Sequence, residues 1–217
     1  MRVPSGHKKT NYLRMKIICI GRNYLKHARE LEHDIPTEPV FFMKPDSSLL
    51  LDNRHFYIPG FSNEVHYEVE LVVKINRLGK SIEARYAHRY YDEIGLGVDF
   101  TARDLQRQLI EKGLPWEKAK AFDSAAVLGG FIPKEELGDL GQIDFSIRKN
   151  GELVQQGNSR DMIFAVDTII EYISQFVTLK IGDLIYTGTP AGVGPVKIND
   201  QLEGFIGERK MFDFLVK

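Results

Sequence analysis

The chain has 217 residues, enough for one domain with a substantial core. Hydrophobic residues make up 43% and charged residues 27%, close to the averages for soluble globular proteins, which argues against a disordered or fibrous protein. The formal net charge of -1, with Lys and Arg interleaved with acids, argues against a nucleic-acid partner. No apolar run approaches the roughly 18 residues that a membrane span requires, so no membrane partner is expected.

The first 14 residues differ in character from the rest of the chain. They carry several Lys and Arg residues, no acid and no apolar core of the kind a signal peptide contains. We therefore expect a flexible extension over 1–14, a single catalytic domain over 15–217 and a cytoplasmic location. Cys19 is the only cysteine and lies in the apolar run IICI, so we predict a buried structural thiol in a reducing compartment.

Strands dominate the predicted elements of an α+β, β-rich fold. Apolar alternation predicts strands over 16–20, 40–43, 65–75, 94–98, 144–149, 184–187 and 211–216. The dipeptide Asn150-Gly151 lies between FSIRK and ELVQQ, and both positions accept positive φ. These two segments are predicted to form an antiparallel hairpin.

Helices are fewer. Thr101 and Asp104 resemble a capping box, and Gly113 is expected to end the helix that follows. Ser159 is expected to cap a second, longer helix that packs on the sheet. The apolar stripe of this second helix is predicted to consist of Ile163, Val166, Ile170 and Ile173.

The segment EVHYEVELVVKI is the most informative strand. Alternation places its apolar residues on one side and His66, Glu68 and Glu70 on the other. Two carboxylates at this spacing lie roughly 6 to 7 Å apart at their Cα atoms and repel each other without a counter-ion. Taken alone, such a pair is most often the wet face of an amphipathic strand.

A third acid changes that balance. Asp99 follows IGLGV on the face shared with Gly95 and Gly97, whose missing side chains are expected to leave room for a ligand. Three carboxylates without a Cys or His cluster favour a hard cation, Mg²⁺ or Mn²⁺, over zinc. The absence of an EF-hand-like spacing argues against calcium.

Seven segments together carry a family resemblance. They are GRNYLKHARE, KPDSSLL, HYEVELVV, GVDFTARDLQ, GLPWEKAKAFD, NGELVQQG and TGTPAGVGPV. In this order they resemble the fumarylacetoacetate hydrolase superfamily, in particular its small single-domain acylpyruvase and oxaloacetate decarboxylase branch. The resemblance implies a mixed β-sheet roll with a few short helices, usually a homodimer, and Mg²⁺ or Mn²⁺ bound by Glu68, Glu70 and Asp99.

The resemblance also implies catalytic residues. His27 and Glu30 match a dyad that activates water, and their spacing of three residues places them on one helical face. Read alone, they would be a common surface pair, and Lys120 a solvated lysine. The resemblance instead directs Lys120 at the substrate, where its ammonium would stabilise enolate charge.

Further residues are implied to line the substrate pocket. The segment TGTPAGVGP alone reads as a glycine-rich turn. Exposed backbone N–H groups, which we expect in such a turn, suit a carboxylate, and the resemblance implies substrate contacts at Gly188, Thr189 and Pro190. Arg22 and Lys44 also resemble pocket-lining positions.

The implied function is Mg²⁺- or Mn²⁺-dependent cleavage of a C–C bond in a small 2-oxo acid through a pyruvate enolate. The reaction is 3-acylpyruvate hydrolysis, oxaloacetate decarboxylation or both. One alternative is a 2-hydroxyhepta-2,4-diene-1,7-dioate isomerase/decarboxylase of aromatic catabolism, against which His27 and Glu30 favour hydrolysis. A non-catalytic metal- or small-ligand-binding scaffold is an alternative of another class.

Overall fold

The computed structural model describes residues 15–25 and 35–217. The predicted extension over 1–14 and the predicted dyad residues His27 and Glu30 lie outside these ranges. None of the helices within the described ranges is long and apolar enough to cross a membrane.

Strands make up most of the regular structure. In chain order they are β1 (Ile17–Gly21), β2 (Val40–Lys44), β3 (Leu49–Leu50), β4 (Val65–Tyr67), β5 (Val69–Ile75), β6 (Tyr91–Asp99), β7 (Thr101–Ala102), β8 (Ala126–Pro133), β9 (Asp144–Lys149), β10 (Glu152–Asn158), β11 (Leu184–Tyr186), β12 (Gly194–Pro195), β13 (Gln201–Ile206) and β14 (Arg209–Leu215). The α-helices of the described ranges are α1 (Ala84–Ala87), α2 (Arg103–Glu111), α3 (Glu117–Lys120) and α4 (Val166–Phe176).

The described residues form three sheets around the core. A seven-stranded mixed sheet has the order β2-β1-β11-β5-β6-β8-β3, with parallel pairing only between β1 and β11 and between β3 and β8. A four-stranded antiparallel sheet has the order β10-β9-β13-β14, and a small sheet joins β12, β4 and β7. The predicted α+β, β-rich class is confirmed.

The predicted hairpin and the buried thiol are both present. Asn150 and Gly151 have φ of 55° and 83°, and β9 and β10 pair in antiparallel register on either side of them. Positive φ at both turn positions matches the twist of the flanking strands. Cys19 is a free, fully buried cysteine on β1.

Both predicted helix starts are wrong. Thr101 lies in β7 and pairs with His66, so α2 begins only at Arg103. The predicted end of this helix is correct, since Gly113, with φ 63°, follows its last turn. Ser159 begins a short 3₁₀ turn, because the side chain of Asn158 accepts the Arg160 N–H at 2.9 Å and caps that turn first.

The second helix starts later than predicted, at Val166. Ile163 lies outside it because its N–H donates to the carbonyl of Asn23 at 2.8 Å. The rest of the predicted stripe is correct in kind, since Ile170 and Ile173 are fully buried in the core.

Candidate metal centre and substrate cleft

The predicted strand over 65–75 is interrupted at Glu68. Residues before it pair in the small sheet as β4, and residues after it pair in the large sheet as β5. The Glu68 carbonyl accepts the N–H of Asp99 at 2.8 Å, and the β5–β6 register sets Glu70 opposite Gly97. This crossing from one sheet to the other brings the third acid beside the first two.

The three predicted metal ligands form a buried cluster. Glu68, Glu70 and Asp99 each offer an oxygen, and these oxygens lie within 4.8 Å of one another. All three side chains are almost inaccessible to water, so the wet-face reading of the pair is wrong. Carboxylate oxygens this close together are a donor set suited to a hard divalent cation.

Buried cations neutralise two of the acids. The Lys120 ammonium donates to Glu68 Oε2 at 2.7 Å, Asp99 Oδ2 at 2.9 Å and Thr101 Oγ1 at 2.6 Å. The Arg103 guanidinium pairs with the other oxygen of Glu68. Burial alone lowers the pKa of Lys120, but the charges of Asp99 and Glu68 outweigh it and raise the pKa.

Lys44 completes this set of cations. Its ammonium lies 2.6 Å from Asp99 Oδ1 and 3.1 Å from the Ala125 carbonyl, and it also donates to the Lys120 carbonyl. The side chain is fully buried, and it does not line the cleft. The structure therefore places Lys44 as an ion-pair partner of Asp99, behind the surface that a substrate would touch.

Glu70 is held differently. The backbone N–H of Gly188 donates to Glu70 Oε2 at 2.7 Å, and within the described ranges its carboxylate forms no ion pair with a basic side chain. Burial first, and then the charges of Asp99 and Glu68, raise its pKa well above the ordinary value. A divalent cation would supply the charge that Glu70 lacks, so the residues present fit Mg²⁺ or Mn²⁺.

Gly95 and Gly97 do not leave room for a ligand. A Cβ on Gly97 would lie 2.4 Å from the Val127 carbonyl oxygen and 2.6 Å from the Tyr186 ring. A Cβ on Gly95 would lie 2.9 Å from the Phe131 ring. The prediction of space there is wrong because neighbouring backbone and aromatic rings occupy it.

A small, partly open cleft adjoins the acids. Arg22, with φ 60°, lines it together with Arg103, Lys120 and Thr189. Within the described ranges the Arg22 side chain forms no ion pair or hydrogen bond with another residue. Phe42, Trp116 and Gln106 also contribute to the wall.

The turn after β11 is buried rather than exposed. Gly188, Thr189 and Pro190 are all inaccessible or nearly so, which corrects the expectation of exposed N–H groups. The Gly188 N–H is committed to Glu70, and the Thr189 hydroxyl donates to the Val69 carbonyl at 2.9 Å. Positive φ of 99° at Gly188 shapes the turn, and a Cβ there would lie 2.7 Å from Asn23 Cβ.

Sequence reasoning missed two polar residues of this region, Arg103 and Gln155. Arg103 is the first residue of α2, where a positive charge interacts unfavourably with the helix dipole. A basic residue at a helix start therefore indicates that its charge has another partner. Gln155 is buried in β10 and bonds to both Val69 and Thr189. The sequence signal for Gln155 is a polar residue at a strand position that faces the core.

Fold and site together define a β-rich scaffold with a buried carboxylate triad, suited to a divalent cation, beside a cleft lined with cationic side chains. The family model described as Fumarylacetoacetate (FAA) hydrolase C-terminal matches residues 16–212. The chain belongs to the fumarylacetoacetate hydrolase family, and the predicted mixed β-sheet roll of that family is confirmed.

Relatives with assigned names are similar over most of their length. The mitochondrial oxaloacetate tautomerase of Mus musculus is 40% identical over 93% of this chain and 91% of its own. The mitochondrial oxaloacetate decarboxylase of Dictyostelium discoideum is 45% identical over 84% of each chain. The fumarylpyruvate hydrolase of Pseudomonas aeruginosa, solved with Mn²⁺ and pyruvate, is 35% identical with a TM-score of 0.87, covering 93% of this chain and 88% of that one.

Proposed function

We propose that this protein is an Mg²⁺- or Mn²⁺-dependent enzyme that cleaves a C–C bond in a small 2-oxo acid through a pyruvate enolate, with oxaloacetate decarboxylation as its main reaction. The observation that carries the proposal is the buried triad in which Glu70 lacks a cationic partner within the described ranges. The names of the similar oxaloacetate enzymes support the choice of substrate.

The charges of the site favour a dianion. Three buried cations, Lys44, Arg103 and Lys120, balance the three carboxylates when all three are ionised, so the fully ionised cluster without a metal is neutral. A divalent cation would make it positive by two charges, which matches the two carboxylates of oxaloacetate. Arg22 adds a further positive charge to the cleft wall.

Each residue then has a defined task. Glu68, Glu70 and Asp99 hold the cation, which when bound would act as a Lewis acid toward the enolate. Lys120 lines the cleft, and its three donors are committed to Glu68, Asp99 and Thr101. Its positive charge would therefore stabilise the enolate without a direct hydrogen bond. Arg22 would pair with a substrate carboxylate, and Thr189 is the residue of the turn after β11 that lines the cleft.

Acylpyruvate hydrolysis is the second candidate, supported by the similar fumarylpyruvate hydrolase. Decarboxylation needs no attacking water, whereas hydrolysis needs a base to activate one. Among the described residues that line the cleft there is no histidine and no carboxylate outside the triad. Hydrolysis would therefore depend on the proposed dyad of His27 and Glu30.

A substrate panel tests the proposal. Pyruvate release from oxaloacetate, enol-to-keto conversion of oxaloacetate, loss of acetylpyruvate and fumarylpyruvate, and turnover of the heptadienedioate are measured with Mg²⁺, with Mn²⁺ and after EDTA treatment. We expect metal-dependent decarboxylation to dominate. Full activity after complete metal removal contradicts the metal role; a dominant heptadienedioate activity favours the isomerase, and no turnover at all favours the scaffold.

His27→Ala separates the two C–C cleavage reactions. If the dyad activates water, this variant loses acylpyruvate hydrolysis by about a hundredfold or more while oxaloacetate decarboxylation falls much less. Glu30→Gln should show the same pattern more weakly. Equal losses in both reactions would mean that these residues do not act on water.

Two remaining proposals concern the assembly and location of the protein. The family resemblance supports a homodimer, and light scattering that gives the mass of one chain at working concentration would contradict it. The mouse and Dictyostelium relatives are named mitochondrial, so the cytoplasmic location stays a prediction that imaging of the tagged protein tests.

A further inference from the structure

Strand β10 has an inverted pattern of burial. Leu153 is 53% exposed, whereas Gln155 is only 2% exposed. A β-bulge accounts for this, since Leu153 lies opposite Arg148 but Gln155 lies opposite the adjacent Ile147, which leaves Val154 unpaired. Bulges redirect side chains and are frequent beside functional sites.

The buried amide of Gln155 uses all of its donors. Its Oε1 accepts the N–H of Val69 at 3.0 Å, and its Nε2 donates to Thr189 Oγ1 at 2.8 Å and to the Pro190 carbonyl at 2.7 Å. One side chain from the four-stranded sheet thus connects the strand that carries the acids with the turn that follows β11.

These hydrogen bonds satisfy backbone groups of β5 that a neighbouring strand would otherwise satisfy. Strand β11 ends at Tyr186, and Thr187 is the last residue beyond it whose N–H bonds to the backbone of β5, at Leu71. Further along, Val69 would have an N–H and a carbonyl without partners on that edge. Gln155 satisfies the N–H, and the Thr189 hydroxyl satisfies the carbonyl.

Val69 lies between two of the proposed metal ligands, Glu68 and Glu70. The turn that Gln155 holds also contains Gly188, whose N–H orients the Glu70 carboxylate. Gln155 does not line the cleft, yet it bonds to the backbone between the acids and to the turn that orients one of them.

We propose that Gln155 is a positioning residue that sets the placement of the Glu68–Glu70 backbone relative to the turn at Gly188 and Thr189. Its consequence for turnover rests on the proposed function, but its mechanical role does not. An apolar side chain of similar volume would fill the same space without joining the two segments.

The experiment compares Gln155→Met with Gln156→Met, a matched change at the exposed neighbour on the same strand. Amide hydrogen exchange of the metal-free proteins is measured over 66–72 and 186–192. Mn²⁺ alone is then titrated and followed by electron paramagnetic resonance, and KM and kcat are determined for oxaloacetate. Gln155→Glu is added because it keeps an acceptor for Val69 but cannot donate to Thr189 or Pro190.

We expect Gln155→Met to speed exchange in both segments, to weaken Mn²⁺ binding by about tenfold and to lower kcat more than it raises KM. We expect Gln155→Glu to speed exchange mainly over 186–192, and Gln156→Met to match the wild type. Unchanged exchange in Gln155→Met would overturn the inference. So would faster exchange with an unaltered Mn²⁺ spectrum and affinity, since that describes a packing role only. A wild-type protein that binds no Mn²⁺ refutes the proposed metal site, while the exchange comparison still decides the mechanical role of Gln155.

Discussion

Glu68 and Glu70 are two residues apart, yet the protein treats their carboxylates in opposite ways. Lys120 and Arg103 both pair with Glu68, and Asp99 beside it is paired with Lys44 and Lys120. Glu70 receives one backbone N–H and, within the described ranges, no ion pair. All of these groups are buried, so water does little to make up the difference.

Within this cluster, some carboxylates therefore contribute to folding stability, whereas another contributes to ligand binding. On the paired side, removing one partner leaves a buried charge without compensation, which is strongly destabilising. On the Glu70 side, the charge itself opposes folding until a cation arrives. The paired acids thus belong to the scaffold as well as to the site, whereas Glu70 gives its favourable contribution only when a ligand is bound.

The largest effect is expected for Glu68→Gln. The change removes a proposed metal ligand and leaves Arg103 buried without its acid, so activity falls about a thousandfold or more and the metal-free protein loses about 3 kcal/mol of unfolding free energy. Urea unfolding in EDTA measures the second effect. Glu93→Gln, which breaks the partly exposed pair with Lys74, is the control and should change stability by about 1 kcal/mol or less.

Glu70→Gln should lose activity to the same degree but change stability in the opposite direction. Glu70 is buried and has no ion pair in the described ranges, so replacing its carboxylate by an amide of the same shape removes the cost of its charge, and the metal-free protein gains about 1 kcal/mol. The amide can still accept the N–H of Gly188. A metal-free variant less stable than the wild type in EDTA would contradict the contrast between the two acids.

Alternation could predict the shared face of Glu68 and Glu70 because side-chain direction in a strand has a period of two. It could not predict burial, which depends on pairing between distant segments: β4 with β12 and β7, and β5 with β6 and β11. The break at Glu68 leaves no mark in the apolar pattern. Asp99 does lie beside these acids as predicted, but the empty space expected at the glycines is filled.

Local signals were reliable where no tertiary contact competed with them. The Asn150-Gly151 turn formed as predicted because its conformation is a property of the two residues. Thr101 failed as a cap because β4 pairs with its backbone, and its hydroxyl accepts a hydrogen bond from Lys120. Lys44 and Gln155 show the same limit, since a buried polar role is visible only when its partners from other strands are known.

Lys120→Met tests a residue that belongs both to the buried ion pairs and to the wall of the cleft. If the ammonium stabilises developing enolate charge, kcat for oxaloacetate should fall by about a hundredfold. Mn²⁺ affinity should be kept or increased, because the ammonium no longer competes with the cation for Glu68 and Asp99. Unchanged kcat, measured at saturating substrate and Mn²⁺, would restrict Lys120 to a structural role.

The smallest effects on activity should separate Lys44 from Arg22, two residues for which the sequence predicts the same role. Lys44→Met breaks a buried pair with Asp99, so it should lower the unfolding free energy and leave KM for oxaloacetate nearly unchanged. Arg22→Gln removes a cleft-lining cation without a partner in the described ranges, so it should leave the unfolding free energy unchanged and raise KM by about tenfold. The rise should be smaller for acetylpyruvate, which has one carboxylate, than for oxaloacetate, which has two. A higher KM for Lys44→Met together with an unchanged KM for Arg22→Gln would contradict this distinction. Lys44 would then line the cleft, and Asp99 would no longer count as an acid neutralised by a buried ion pair.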